Sequence, residues 1–358
     1  MAPSTDRPRG ALAIIEIGAQ PFVARAFPDE TLFFATVSRR DRPAGVRELG
    51  SLGGLWRALG DPGVSLVVCQ PTFSAPWSWR HLGRLLFSRR ALKRRPALLR
   101  AFAPQLLRWR GRAPMAVLDH EDLPVINRNN LFLLDRCRLF FKRELPADRW
   151  RVFLKTAHAH LPTARFRRLP RNRARIARLR PLSLGLPLDW EAPPDRSLAP
   201  KTCDVFFAGR VEGSSSLRAR GLHELEALRA EGLAIDIAAA PLPREEFYRR
   251  CAGAWLVWSP EGFGWDCFRH YEALACGSVP LINSPTIERH APLVGGEHAL
   301  YYDPEPGALT RAVRAALADK PGLARIARCG REHVLAHHTP DAVARHVVES
   351  ALNEGTAT

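Results

Sequence analysis

An arginine pair in the second half of the chain has residue types suited to binding an anion. The apolar run CDVFFA at 203–208 predicts a buried strand, and Arg210 follows it closely, with Arg218 eight residues later. A guanidinium offers paired N–H donors that match phosphate oxygens. Ligands of open α/β sheets bind beyond the carboxyl ends of the strands, so this edge is predicted to meet a phosphate-bearing ligand.

A second segment, SPEGFGWDCFRHYEALACGSVPLI at 259–282, places two glycines between a predicted strand and a predicted helix. Gly262 and Gly264, with Phe263 between them, would let backbone amides approach an anion that the helix dipole also attracts. The same turn is common as a plain strand-to-helix connection. Its place in one sheet with the arginine edge favours the anion interpretation. Asp266 is predicted to cap the helix and Gly277 to end it in the left-handed conformation.

Two charged residues of this helix are further ligand candidates. Arg269 and Glu272 stand three positions apart and share one face. They could pair with each other at the surface. Alternatively, the carboxylate of Glu272 could accept hydrogen bonds from the two hydroxyls of a ribose, a role that acidic residues take in nucleotide sites.

A third cluster, in the first half, could move a proton. The cluster Asp119-His120-Glu121-Asp122 stands at the end of the apolar run MAVLD at 115–119, so its side chains could face a crevice beyond the sheet. A carboxylate or an imidazole there can deprotonate a hydroxyl. The alternative is a capped loop with solvated acids.

The elements that position these residues predict two domains, as expected for 358 residues. The first half contains continuous apolar runs typical of buried parallel strands, at 11–17, 31–37, 64–70, 115–119 and 137–141. In the second half, strands alternate with helices of ten to fifteen residues, as in a doubly wound sheet. We therefore predict an α/β protein with two Rossmann-like domains facing across a cleft. The expected division is residues 1–180, a proline-rich linker at 181–201, residues 202–338, and a C-terminal helix and tail at 339–358.

The positive charge is local. The chain has 53 Lys and Arg against 36 Asp and Glu, a net charge of +17. Eleven basic residues and no acid lie between Arg80 and Arg112, and eight arginines and no acid lie between Arg165 and Arg180. Segment 85–107 reads as a basic amphipathic helix, broken near Pro96, that could lie on anionic lipid. A solvated face is the alternative, and nucleic acid binding is disfavoured because no recognisable reader motif accompanies the charge.

Other classes are excluded by composition. The seven cysteines include no Cys-x-x-Cys pair, which argues against a disulfide framework or a structural zinc site. No apolar run reaches the length of a membrane span, and the amino terminus lacks the apolar core of a signal peptide. We expect a cytoplasmic protein whose basic surface could attach it peripherally to the inner membrane.

The stretch GFGWDCFRHYEALACGSVPLI at 262–282, preceded by SPE and by FFAGR at 206–210, resembles the nucleotide-sugar-binding half of GT-B fold glycosyltransferases. It is most similar to bacterial group 1 enzymes and exostosin-like domains, in which an EAL-x-x-G-x-x-P unit recurs. The resemblance covers about 203–338. In the first half, MAVLDHEDLPVI at 115–126 and RLFFKREL at 138–145 resemble acceptor-side segments.

The resemblance implies a role for each candidate. Arginines grip the donor diphosphate, the glycine turn presents amides to it, and Glu272 holds the nucleotide ribose. Many retaining members carry two glutamates eight positions apart, whereas Glu261 stands eleven before Glu272 and Gly264 stands eight before it. A sugar contact by Glu261 and retention therefore do not follow. The candidate donor-binding set is Arg210, Arg218, Glu261, Gly262, Phe263, Gly264, Arg269 and Glu272, and the candidate bases are Asp119, His120 and Glu121.

The expected activity is transfer of a sugar from a nucleotide-sugar donor to a cell-envelope glycan or lipid-linked acceptor. No Asp-x-Asp motif occurs, and arginine donors with helix-terminal amides can stabilise the leaving diphosphate, so neither a metal nor a cofactor is expected. The alternative is a non-catalytic protein of the same shape that binds polyanions or an anionic membrane through its basic first domain.

Overall fold

A computed structural model describes residues 12–37, 44–71, 99–158, 161–163, 170–190 and 199–354. Most of the predicted amphipathic segment 85–107 lies outside these residues. Among the described helices, none combines the length and apolar composition needed to cross a membrane.

The first half of the chain forms a parallel sheet. Its strands are β1 (Ile14–Gly18), β2 (Thr31–Ala35), β3 (Arg47–Glu48), β4 (Leu66–Cys69), β5 (Met115–Asp119), β6 (Leu139–Lys142) and β9 (Leu179–Pro181). They lie in the order β3-β2-β1-β4-β5-β6-β9, and Ile17 pairs with Phe34 on one side and Cys69 on the other. A separate antiparallel hairpin joins β7 (Lys155–His158) and β8 (Leu161–Thr163). All five strands predicted for this half are present.

Helices cover both faces of the first sheet. They are α1 (Val23–Ala26), α2 (Leu52–Ala58), α3 (Ala103–Leu106), α4 (Leu131–Arg136) and α5 (Pro170–Ala177). On one face, Leu55 of α2 and Leu133 of α4 pack with Phe34 and Phe140. Burial on both faces explains why these strands read as continuous apolar runs.

The second half forms a five-stranded parallel sheet. Its strands are β10 (Cys203–Phe207), β11 (Ile235–Ile237), β12 (Ala254–Trp258), β13 (Val279–Asn283) and β14 (Leu300–Tyr302), in the order β11-β10-β12-β13-β14. The helices are α6 (Ser216–Ala230), α7 (Arg244–Gly253), α8 (Phe268–Ala275), α9 (Ala308–Leu317) and α10 (Lys320–His337). The strand order reverses between β10 and β12, and a crevice opens at such a switch point. The predicted α/β fold with two doubly wound domains is confirmed.

The chain crosses twice between the domains. On the first crossing, Leu182 packs in the first core and Leu186 in the second. On the second, α11 (Pro340–Asn353) returns to the first sheet, where Val347 packs with Leu118. The two crossings touch, because the Leu186 amide donates to the His338 carbonyl at 2.8 Å. These crossings fix the two carboxyl edges on either side of one cleft.

The ends of α8 are built differently from one another. Gly277, with φ +77°, ends the helix in the left-handed conformation as predicted. The prediction that Asp266 caps its start is wrong. Cys267 holds the N-cap position without a side-chain bond, and the Asp266 carboxylate instead accepts from the Leu184 amide at 2.6 Å and the Tyr271 hydroxyl at 2.8 Å. The Asp266 side chain therefore links α8 to the first interdomain crossing by hydrogen bonds.

Candidate active site

A cleft of about 690 Å³ lies where the carboxyl edges of the two sheets meet. Most of its wall belongs to the second domain. Seven of the eight candidate donor-binding residues line it, namely Arg210, Arg218, Gly262, Phe263, Gly264, Arg269 and Glu272. The first domain contributes Asp122 and Arg143. The cleft thus brings together residues that lie 62 positions apart in the second half of the chain.

Arg269 carries an unsatisfied donor at the cleft wall. Its Nε donates to the Ala208 carbonyl at 2.8 Å, and its guanidinium lies 5.3 Å from the centre of the Phe207 ring. Its Nη1 atom is buried and has no hydrogen-bond partner. Burial lowers the pKa of Arg269, and the neighbouring Arg218 lowers it further. A buried donor without a partner is costly, so this arrangement fits a site that an anion completes.

Glu272 stands one helical turn along from Arg269 and faces the same cleft. Its Oε1 accepts from the Tyr248 hydroxyl of α7 at 3.4 Å. Burial raises the pKa of Glu272 to about 6, although Arg269 acts in the opposite direction. Within the described part of the chain these two residues do not form the surface ion pair considered above. Above about pH 6 the cleft therefore contains an ionised acceptor beside a guanidinium donor.

Arg218 lies in the wall, but its donors are used within the protein. Its Nη1 donates to the Arg210 carbonyl at 2.7 Å and its Nε to the Glu261 carbonyl at 2.9 Å. Arg218 is buried, whereas the Arg210 side chain is exposed at the cleft. The geometry makes Arg218 a tie between the loops that follow β10 and β12, and leaves Arg210 able to reach a ligand.

Several backbone amides in and after the glycine turn donate hydrogen bonds within the protein. The Gly262 amide donates to the Gly264 carbonyl at 2.9 Å. The amides of Trp265 and Asp266 donate to the two carboxylate oxygens of Glu144, at 2.9 and 3.0 Å. Phe263 between the glycines is 62% exposed. The amides expected to face an anion are thus partly occupied by a carboxylate from the first domain.

Glu261 is absent from the cleft wall. Its amide donates to Asn283 Oδ1 at 2.9 Å, and Asn283 Nδ2 donates back to its carboxylate at 3.1 Å. This reciprocal pair joins the ends of β12 and β13. The assignment of Glu261 to the donor-binding residues stays a prediction.

The three candidate bases lie behind the first-domain wall, and none of them lines the cleft. Asp119 is buried and pairs with Lys142 Nζ at 3.1 Å. Burial lowers the pKa of His120 to about 4, and Arg143 and Lys142 add to the effect. Burial raises the pKa of Glu121 to about 7, with repulsion from Asp119 as the next cause. Of the three, Glu121 has the pKa best suited to accepting a proton near neutrality.

Of the first-domain residues that shape the cleft, Asp122 was predicted from the sequence to lie at this edge, whereas Arg143 and Glu144 were missed. Arg143 pairs with Asp122, and its Nη2 donates to the Asp266 carbonyl at 2.8 Å across the domain boundary. Burial raises the pKa of the adjacent Glu144 to about 7. The signal was present, because Lys-Arg-Glu directly follows the apolar run LFF of β6, at the carboxyl edge of the sheet. Arg244, at the start of α7, is a further lining residue that was not predicted.

Within the two basic stretches, several of the described arginines bind the first domain itself. Arg100 donates to the carbonyls of Ala35 and Gly50, and Arg175 makes two hydrogen bonds to the Asp135 carboxylate, at 2.7 and 2.5 Å. Residues 80–98 and 165–169 lie outside the described part of the chain. Part of this charge therefore serves the fold.

The glycosyl transferase-like family matches residues 248–349. No curated protein matches the sequence significantly. Three solved structures are similar across nearly the whole length of both chains. A glycosyltransferase from Rickettsia africae has a TM-score of 0.57 at 8% identity, with 98% of this chain and 100% of that one covered. The sucrose-phosphate synthase of Thermosynechococcus elongatus has a TM-score of 0.52 at 13% identity, with 97% of this chain and 100% of that one covered.

The third structure is the Anabaena protein HepE in complex with UDP, which has a TM-score of 0.51 at 13% identity, with 95% and 99% covered. At these identities the likeness establishes the fold. The family match falls on α8, the strand after it and the helices that follow, which is where the resemblance of the sequence was placed. The chain therefore has the fold of GT-B glycosyltransferases, and most of its second half matches the glycosyl transferase-like family.

Proposed function

We propose that the protein transfers a sugar from a nucleoside diphosphate sugar bound in the cleft to an acceptor hydroxyl. The observation that carries this proposal is that Arg269, whose buried Nη1 has no hydrogen-bond partner, lines the cleft together with Glu272. A guanidinium donor for an anion and a carboxylate acceptor for hydroxyls, one helical turn apart, match the diphosphate and the ribose of a nucleotide. UDP is the first nucleotide to test, because HepE, which shares the fold, binds it.

Each residue then has a defined part. Arg269 and the exposed Arg210 contact the diphosphate, and Glu272 accepts from the ribose hydroxyls. Arg218 holds the loop that carries Arg210, and so acts as a positioning residue. The two cleft arginines also explain the catalysis. As the bond between the sugar carbon and the phosphate oxygen breaks, negative charge grows on the leaving diphosphate, and fixed donors stabilise it.

On the other side of the reaction, the acceptor oxygen bonds to the sugar carbon and its proton passes to a base of the first domain. We propose Glu121 as the base because its pKa of about 7 suits this step at neutral pH. Since Glu121 does not line the cleft, this role requires its side chain to move to the acceptor. We propose that transfer needs no metal, since guanidinium donors already face the leaving group. We also propose a cell-envelope glycan or lipid-linked glycan as acceptor, supported by the basic character of the first half of the chain.

Isothermal titration with UDP, GDP, ADP and CMP tests the donor site. We expect one of these nucleotides to bind the wild type, and Arg269→Gln to weaken it about tenfold or more, because a charge-assisted bond is lost. Arg220→Gln is the matched control, since Arg220 is exposed on α6 and lies outside the cleft. Binding should persist in EDTA.

Two results would contradict the proposal. If no nucleotide binds the wild type, the cleft is not a nucleotide site. If Arg269→Gln binds as tightly as Arg220→Gln, the unpartnered nitrogen is not the anion contact. Loss of transfer in EDTA, restored by manganese, would remove metal independence alone.

A further inference from the structure

One short segment of the first domain makes the polar contacts that join it to the donor-side wall. It runs from Arg143 to Arg149, directly after β6. At its start, Arg143 and Glu144 bond to the turn that precedes α8. At its end, Arg149 makes two bonds to the carboxylate of Glu288, at 2.7 and 2.6 Å. The two ends thus offer two contacts of similar chemistry, of which only the first touches the wall of the cleft.

The Glu144 contact is a carboxylate seated on backbone amides of the other domain. Glu144 is 3% exposed, and each of its oxygens accepts one amide, from Trp265 and from Asp266. Arg143 lies 3.6 Å from the same carboxylate and neutralises part of its charge, which lowers the pKa of Glu144. The negative charge of Asp266 has the opposite effect on that pKa. Glu144 itself does not line the cleft. Its influence on a ligand must therefore pass through the turn that it holds.

Gly264 shows how closely the two domains meet at this point. A Cβ at this position would stand 2.4 Å from Glu144 Oε1 and 3.0 Å from the Asp122 carbonyl. Only a residue without a side chain lets the carboxylate reach the two amides that follow. The glycine of the turn is thus required by the approach of the first domain, in addition to any approach of a ligand.

We propose that Glu144 is a positioning residue of the donor site, which holds the turn from Gly264 to Asp266 in the shape that meets the donor diphosphate. Donor affinity then depends on the first domain being closed onto the second. This inference rests on the proposed function, because the turn that Glu144 holds is part of the same proposed nucleotide site. It adds a residue that touches neither donor nor acceptor.

Titration of the variants with the nucleoside diphosphate that binds the wild type tests the inference. Glu144→Gln keeps the shape of the side chain but replaces one acceptor oxygen with an N–H that faces a backbone N–H. We expect the Kd to rise about tenfold, since a buried bond to a charged acceptor is lost. Glu288→Gln is the matched control, because it weakens another interdomain contact, one that lies outside the cleft. Its Kd should stay within about twofold of the wild type, even where both variants melt at lower temperature.

A second pair of variants tests the same contact from the other domain and does not depend on the folding of Glu144→Gln. Gly264→Ala should weaken nucleotide binding, because its methyl group displaces the carboxylate. Glu144→Ala removes the nearer of the two groups that the methyl would strike and leaves the Asp122 carbonyl at 3.0 Å. In the double variant the loss of affinity should therefore be smaller than the product of the two single losses.

The outcomes separate the two proposals. Absence of nucleotide binding by the wild type overturns the proposed function. Binding by the wild type with equal affinity in Glu144→Gln and Glu288→Gln overturns the positioning role alone. Losses that multiply in the double variant would also overturn it, because Gly264 would then act on the ligand independently of Glu144.

Discussion

The two sheets end at the same cleft, but their carboxyl edges differ in how the polar groups are paired. At the edge of the first sheet, Glu16 is fully buried and its carboxylate accepts the amides of Phe22, Val23 and Ala24 at 2.8 to 3.1 Å. It also accepts from Gln70, and burial raises its pKa to about 7. The start of α1, which could have faced an anion, is thus filled by the protein's own carboxylate.

The edge of the second sheet is less completely paired. Arg269 keeps a buried donor without a partner, and the Glu272 carboxylate accepts one bond, at 3.4 Å. At the first edge the buried Nε of Arg143 also lacks a hydrogen-bond partner, but the carboxylate of Glu144 lies 3.6 Å from it. Both sheets have the same doubly wound construction, so the architecture alone does not decide which of them binds a ligand. The hydrogen bonding of the edge residues decides it, because only donors and acceptors without a partner in the protein are available to bind a nucleotide.

The largest effect is expected where the first edge is broken. Asp119→Asn leaves the ammonium of Lys142 buried and without its counter-charge, which should lower the free energy of unfolding by about 3 kcal/mol or more. The nucleotide Kd of the folded variant should stay within about twofold of the wild type, because this pair lies behind the cleft wall. Urea unfolding and titration at a temperature where the variant is folded measure the two quantities.

Asp236→Asn is the control for Asp119→Asn, since Asp236 pairs with Arg250 at a half-exposed position and its loss should cost about 1 kcal/mol or less. A loss of nucleotide affinity in Asp119→Asn without a loss of stability would contradict the comparison. It would place Asp119 in the binding site and return it to the candidate bases.

The same contrast explains which features could be predicted from the sequence. The unit from β12 through α8 to β13 was predicted within about three residues, because a buried apolar run, two glycines and Gly277 are local signals. The partners of Asp266 and of the turn could not be predicted. Leu184 lies 82 positions and Glu144 more than 120 positions away from them in the chain, so only the fold brings them together.

Arg218 shows how far the role of a single residue can be predicted from the sequence. Its type and position predict a phosphate contact, and it does line the cleft. Its guanidinium is nevertheless bonded to backbone carbonyls of two loops, which no spacing in the sequence reveals. Residue type therefore identified which side chains lie at the edge, whereas the hydrogen-bond partners decide which of them can serve a ligand.

A smaller effect is expected at the edge of the second sheet. Glu272→Gln should weaken nucleotide binding about tenfold at about pH 8, because an ionised acceptor of the ribose hydroxyls is lost. In the wild type the affinity should rise as the pH increases through about 6, where this carboxylate ionises. The variant should lack that part of the rise.

Titrations at several pH values, with Glu226→Gln as an exposed control on α6, measure this difference. Because the nucleotide also changes charge with pH, the informative quantity is the ratio of the two affinities at each pH. A ratio that stays constant across pH would contradict the assignment of Glu272 to the ribose.

The smallest effect is expected at Glu121, which sits at the first edge, where burial and Asp119 raise its pKa more than Lys142 and Arg143 lower it. Burial and Asp119 raise its pKa from 4.5 to about 7 in the folded protein. Its contribution to stability is therefore present in full below about pH 4.5 and is lost as the pH rises through about 7. Glu121→Gln removes this dependence. The side chain is partly exposed, so the variant should be more stable than the wild type by less than about 1 kcal/mol at about pH 8.

Urea unfolding at about pH 5 and about pH 8 isolates this effect, because the advantage of Glu121→Gln over the wild type should appear only at the higher pH. Glu349→Gln on α11 is the control, and it should show no such difference. A variant less stable than the wild type at high pH would mean that the ionised carboxylate has a stabilising partner at the first edge. The Asp119 and Lys142 charges already offset each other. That result would therefore show that Glu121 is also paired with a positive group, so that no unpaired carboxylate of this cluster could accept a proton.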